Sequence, residues 1–126
     1  MKFMLIMRAT ESGYKEYEAA DFTVVITAIG KYNDDLMNAG VLLTGEGLAD
    51  DLGMAFVVDF DAEQPVVTDG PYGEVHERFS GFWIIETTTR AEAVEWAKRA
   101  PLMRGWKLEV RRLDEMADIA GSESHE

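Results

Sequence analysis

Lys2 and Arg8 bracket an unbroken apolar run, Phe3-Met4-Leu5-Ile6-Met7. A run this short and continuous predicts a strand that is covered on both sides or paired centrally. Between Ser12 and Gly40 the apolar residues Phe22, Val25, Ile26, Ile29, Tyr32 and Leu36 recur at helical spacing, which predicts one long amphipathic helix with Gly40 as its stop. The β-branched run inside it, Phe22-Thr23-Val24-Val25-Ile26-Thr27, prefers strands by propensity, and the period is taken to prevail. Val41 to Thr44 reads as a second strand, punctuated by Gly45-Glu46-Gly47 and Ala49-Asp50-Asp51. Met54 to Phe60, the polar quartet Asp61-Ala62-Glu63-Gln64 and Pro65 to Thr68 form a predicted hairpin, because proline can open a strand but not sit inside one. Gly81 to Glu86 is a further buried strand. Thr89-Arg90-Ala91-Glu92 is a capping box that starts a second helix ended by Pro101, and Trp106 to Leu113 alternates into a last strand.

This order defines an α+β domain, with an antiparallel sheet and both main helices on one of its faces. The expected domain is 1–116, and 117–126, acidic and without Lys or Arg, reads as a disordered tail. Two helices leave the second sheet face uncovered. Phe3, Leu5, Phe56, Val58, Phe82, Ile84 and Trp106 are together too apolar for water, which predicts a homodimer packed face to face.

Composition narrows the partners. The 126 residues suit one core, and 12 Lys+Arg against 24 Asp+Glu give a formal charge of -12. Such a field repels phosphate backbones and anionic lipid, so neither nucleic acid nor membrane is an expected partner. The chain has no cysteine, which excludes disulfides, thiolate metal sites and cysteine nucleophiles, and no stretch reaches membrane-spanning length. The expected location is the cytoplasm. The seven methionines read as adaptable packing, and Trp83, Trp96 and Trp106 as core or interface anchors; no cofactor or metal is assigned.

Candidate chemistry concentrates in Thr68-Asp69-Gly70-Pro71-Tyr72-Gly73-Glu74-Val75-His76-Glu77-Arg78-Phe79. Asp69 either shapes a turn by accepting local N–H bonds or, at a strand end facing an apolar barrel, acts as a base. His76 either sits in solvent or pairs with Asp69, which would fix its tautomer and leave the second nitrogen for substrate. His125 lies in the tail and takes no role. Arg8, Glu46, Tyr72, Glu74 and Arg78 are candidate binding residues: Arg8 and Glu46, polar groups at strand ends, either converge on a pocket or are ordinary turn and edge charges, and Tyr72 either caps a pocket or packs on Phe79 or across the dimer. Gly45-Glu46-Gly47 lacks the spacing of a dinucleotide loop.

The run Thr68 to Glu77, "TDGPYGEVHE", resembles the DGPFAETKE motif of the DGPF proteins, a branch of the YCII-related family. Ala39 to Leu48, Gly81 to Glu86, Glu92 to Pro101 and Leu108 to Arg111 support the resemblance, which extends to about Leu113. Tyr72 and Gly73 replace the motif's Phe-Ala, and Val75-His76 its Thr-Lys, so a titrating group stands in place of a fixed cation. The resemblance implies a ferredoxin-like, dimeric α+β barrel with a small-molecule pocket. It also implies acid-base work through an Asp-His pair, or a non-catalytic ligand-sensing or protein-interaction role beside sigma factors.

Overall fold

The computed structural model describes residues 1–49, 52–71 and 78–116; for Glu11, Tyr14, Tyr17 and Arg78 it describes the backbone alone. The elements run β1 (Lys2–Ala9), α1 (Glu11–Ala19), α2 (Phe22–Asn38), β2 (Leu42–Gly47), a short 3-10 turn, β3 (Phe56–Asp59), β4 (Val66–Asp69), β5 (Arg78–Glu86), α3 (Arg90–Lys98) and β6 (Trp106–Arg112). Four strands form one antiparallel sheet in the order β2-β5-β1-β6, the ferredoxin-like arrangement, while β3 and β4 form a separate two-stranded sheet. The apolar run at the N-terminus is thus a central strand, as its continuity requires. Phe3 pairs with Ile85 on one side and Arg112 on the other.

The expected long helix is two. Asp21 is extended and its carboxylate accepts from the Thr23 amide at 2.9 Å, so it ends one helical segment and caps the next. Within α2 the period does prevail over β-branched propensity, but only Val25, Ile29, Tyr32 and Leu36 turn inward. Phe22 and Ile26, expected on the same stripe, are exposed. Gly40 stops the helix with φ +72, and Gly40 N and Val41 N donate to Met37 O and Leu36 O. That is the Schellman closure, and it places Val41 beside Leu36 in the core. At α3 the capping box forms: Thr89 Oγ1 accepts from Glu92 N at 3.2 Å, and the Glu92 carboxylate accepts from Thr88 N at 3.1 Å.

The two main helices, α2 and α3, lie on one face of the sheet. Phe3, Leu5, Trp83 and Ile85 pack there against Tyr32, Leu36, Val41 and Ala93. The apolar set assigned to the second face therefore divides. Phe3 and Leu5 belong to this core, and Trp106, opposite Ala9, keeps to the same side with its indole N–H donating to Gly13 O. Phe56 and Val58 belong to the separate hairpin. Only Phe82 and Ile84 of that set lie on the helix-free face, because alternation sends them opposite to Trp83 and Ile85.

Tyr32 links core and helix: its hydroxyl donates to Trp96 O at 2.7 Å and its ring meets Trp83 edge-on at 5.0 Å. Burial pushes this hydroxyl from the ordinary 10.0 up to about 12, with the Arg99 charge pulling it down. The unfolded chain thus ionises Tyr32 first, and its contribution is intact below pH 10.0 and lost as pH rises towards about 12. Solvent screening of the hydroxyl keeps the loss expected from linkage below about 2 kcal/mol. Urea midpoints across this window should fall more steeply for the wild type than for Tyr32→Phe; parallel curves would show the hydroxyl to be equally solvated in both states.

Candidate functional site

The helix-free face is built by alternation along three strands. Met4, Ile6 and Arg8 on β1 stand opposite Ile84, Phe82 and Phe79 on β5, and opposite Arg111, Glu109 and Lys107 on β6. A bulge at Met7/Arg8 skips Ser80, so Phe79 and Phe82 fall on the same face, their rings 6.4 Å apart. Arg8 lies over the Phe79 ring, its guanidinium carbon 5.7 Å from the centroid. Its Nε donates to Glu109 Oε1 at 2.7 Å, with side chains 35% and 41% exposed. Such a half-exposed pair adds little to stability, about 1 kcal/mol at most. Its chemical meaning is larger. Among the described residues only Nε of Arg8 is engaged, which leaves both terminal nitrogens of a planar donor fork for another acceptor.

Glu46 joins this face from the edge strand β2, directly across from Phe82, and is exposed. Gly45 beside it has no side chain because the Trp83 indole occupies that space: a Cβ there would come within 2.7 Å of Trp83 Cδ1. Arg8 and Glu46 thus share one surface, with β5 between them. Glu109 and Phe79 complete it and were absent from the sequence-based candidates. The alternation Lys107-Leu108-Glu109-Val110-Arg111 already opposed Glu109 to the core-facing leucine and valine.

Asp69 is elsewhere. It ends β4, pairs with Phe56 across the hairpin and is exposed. Arg78 opens β5 opposite Ala9. Tyr72, Glu74 and His76 lie outside the described residues. Two concavities of the single chain lie on the helix side, away from these groups. One, of about 460 Å³, runs between α3 and β6 over Phe3, Leu108 and Val110. The other, of about 150 Å³, is lined mainly by apolar residues, among them Met7, Ile29, Met103 and Trp106.

These features define a small ferredoxin-like α+β domain with charged and aromatic groups gathered on its helix-free sheet face, and among the described residues no helix is long and apolar enough to cross a membrane. The family profile of the YCII-related domain matches residues 1–117, and the chain belongs to the YCII-related family. No curated protein matches it.

Proposed function

We propose that the protein acts as a homodimer that binds a small organic carboxylate, with Arg8 as the group that receives the charge. The observation carrying this reading is the half-engaged guanidinium of Arg8 above Phe79, on a face that it shares with Met4, Ile6, Phe82 and Ile84. Covering that face with a second copy would lower the local dielectric and strengthen a bidentate carboxylate contact, while Phe79 and Phe82 favour an aromatic or aliphatic body. Arg8→Met, which keeps the stem and removes the fork, should weaken binding of a retained carboxylate at least tenfold by calorimetry. Unchanged affinity in a variant that sediments like the wild type would remove Arg8 from the site.

The run Thr68 to Glu77 supports placing the chain in the DGPF branch of the family. Acid-base chemistry through Asp69 and His76 extends the reading to an enzyme. A second, non-catalytic reading is a ligand-sensing or protein-interaction module associated with sigma-factor regulation, and it is favoured by the exposure of Asp69 in the single chain. NMR titration separates the two. With a working pair, Asp69→Asn removes the charge that favours imidazolium and lowers the apparent pKa of His76, while His125 serves as reference. A His76 curve indifferent to the change would leave the non-catalytic module in front.

A further inference from the structure

The hairpin β3–β4 is the least accounted-for part of the fold. Phe56, Val58 and Val67 share one of its faces, since Val58 pairs with Val67 and Phe56 with Asp69. They are 62%, 37% and 62% exposed, and Phe60 at the tip is 74% exposed. By ordinary side-chain areas these four residues leave on the order of 400 Å² of apolar surface in water, the size at which a patch marks an interaction. On the opposite face Val57 is half-buried and Val66 is 49% exposed, so the face of Phe56 is the more apolar and the more exposed of the two.

Charge indicates what would cover it. From Tyr32 to Glu77 the chain has no Lys or Arg, and the hairpin carries Asp59, Asp61, Glu63 and Asp69, all exposed. The helix-free face has the opposite sign on β6, where Lys107 and Arg111 are exposed and, among the described residues, without an ion pair. Dimensions agree as well. Four paired residues span about 13 Å, and the distance across a four-stranded sheet from first to last strand is about 14 Å.

We propose that this hairpin is an arm exchanged between two copies. Phe56, Val58 and Val67 of one chain lie on the helix-free face of the other, with the arm's acids beside Lys107 and Arg111 of the partner subunit. Exchange in both directions is what a two-fold interface requires. The inference rests on the homodimer proposed above and deepens it, because Asp69 travels on the same face of the arm as Phe56. The arm therefore delivers Asp69 towards Arg8 of the partner subunit, and the carboxylate pocket is built from two chains.

The absence of cysteine makes the test direct. Val67→Cys in the full chain places a single thiol on the arm, and Val24→Cys, on the exposed side of α2, is the control. Alkylation of the arm thiol by iodoacetamide should be at least tenfold slower at concentrations where the protein is dimeric than after dilution, with the control rate unchanged. Lys107→Glu should weaken the dimer at least tenfold in sedimentation, and adding Asp59→Lys and Glu63→Lys should restore part of the loss. A wild type that sediments only as monomer at tens of micromolar, where ordinary stable interfaces are formed, would overturn the dimer and the arm together. A wild-type dimer whose arm thiol reacts equally fast at all concentrations, and which tolerates Lys107→Glu, would overturn the arm alone.

Discussion

Trp83→Ala should lower the free energy of unfolding by about 4 kcal/mol, the usual cost of deleting a large buried aromatic. Trp83 is 2% exposed, meets Tyr32 edge-on and donates its indole N–H to Asn33 Oδ1 at 2.7 Å. Truncation leaves a cavity between sheet and α2 and an Asn33 carbonyl without its donor. Trp83→Phe should recover more than half of the loss, since it keeps an aromatic body and gives up the hydrogen bond, worth about 1 kcal/mol. Urea unfolding with an unchanged m-value would report both numbers. A loss below about 1 kcal/mol for the alanine variant would mean that the site collapses around the gap.

The second large effect is expected where two backbones touch. Gly105 precedes β6 with φ +87, and a Cβ there would lie 2.8 Å from Gly13 Cα. Thr10 fastens the crossing from the other side: its amide and its hydroxyl both donate to Gly105 O, and its Oγ1 accepts from Gly13 N. Gly105→Ala therefore combines left-handed strain with a clash against backbone that has no rotamer to yield. The expected loss is about 3 kcal/mol. Gly47→Ala, where a side chain meets open space, should change stability by less than about 0.5 kcal/mol. Thermal midpoints that fail to separate the two variants would show that the Gly13 crossing is adaptable.

Element types were largely legible in the sequence because each had a local cause. The continuous run of β1, the capping box of α3 and the proline that opens the returning strand all act within a few residues. What was misread depends on context further away. The helical stripe does not distinguish one helix from two that follow each other directly, although Asp21 before Phe22 was the available signal. Phe56 and Val58 look like sheet core by alternation, and only the pairing of β3 with β4 alone reveals that they stand outside it. The site divides similarly. Arg8 and Glu46 were found as charges near strand ends, but Glu109 reaches Arg8 across 101 positions of sequence. Register between β1 and β6 makes that contact, and spacing along the chain carries no trace of it.

The placement of β1 also bears on how the chain is made. Both neighbours of this strand, β5 and β6, are translated after most of the chain, so its row of amides has no partner while synthesis proceeds. The helices form early from local contacts, whereas the sheet waits for pairings of long sequence separation. Nascent chains halted before Glu86 would expose Leu5, Ile6 and Met7 as an open edge, a template for association. Ribosome-bound intermediates should therefore be the aggregation-prone species and the main clients of holding chaperones, with that liability falling once β5, and then β6, has emerged.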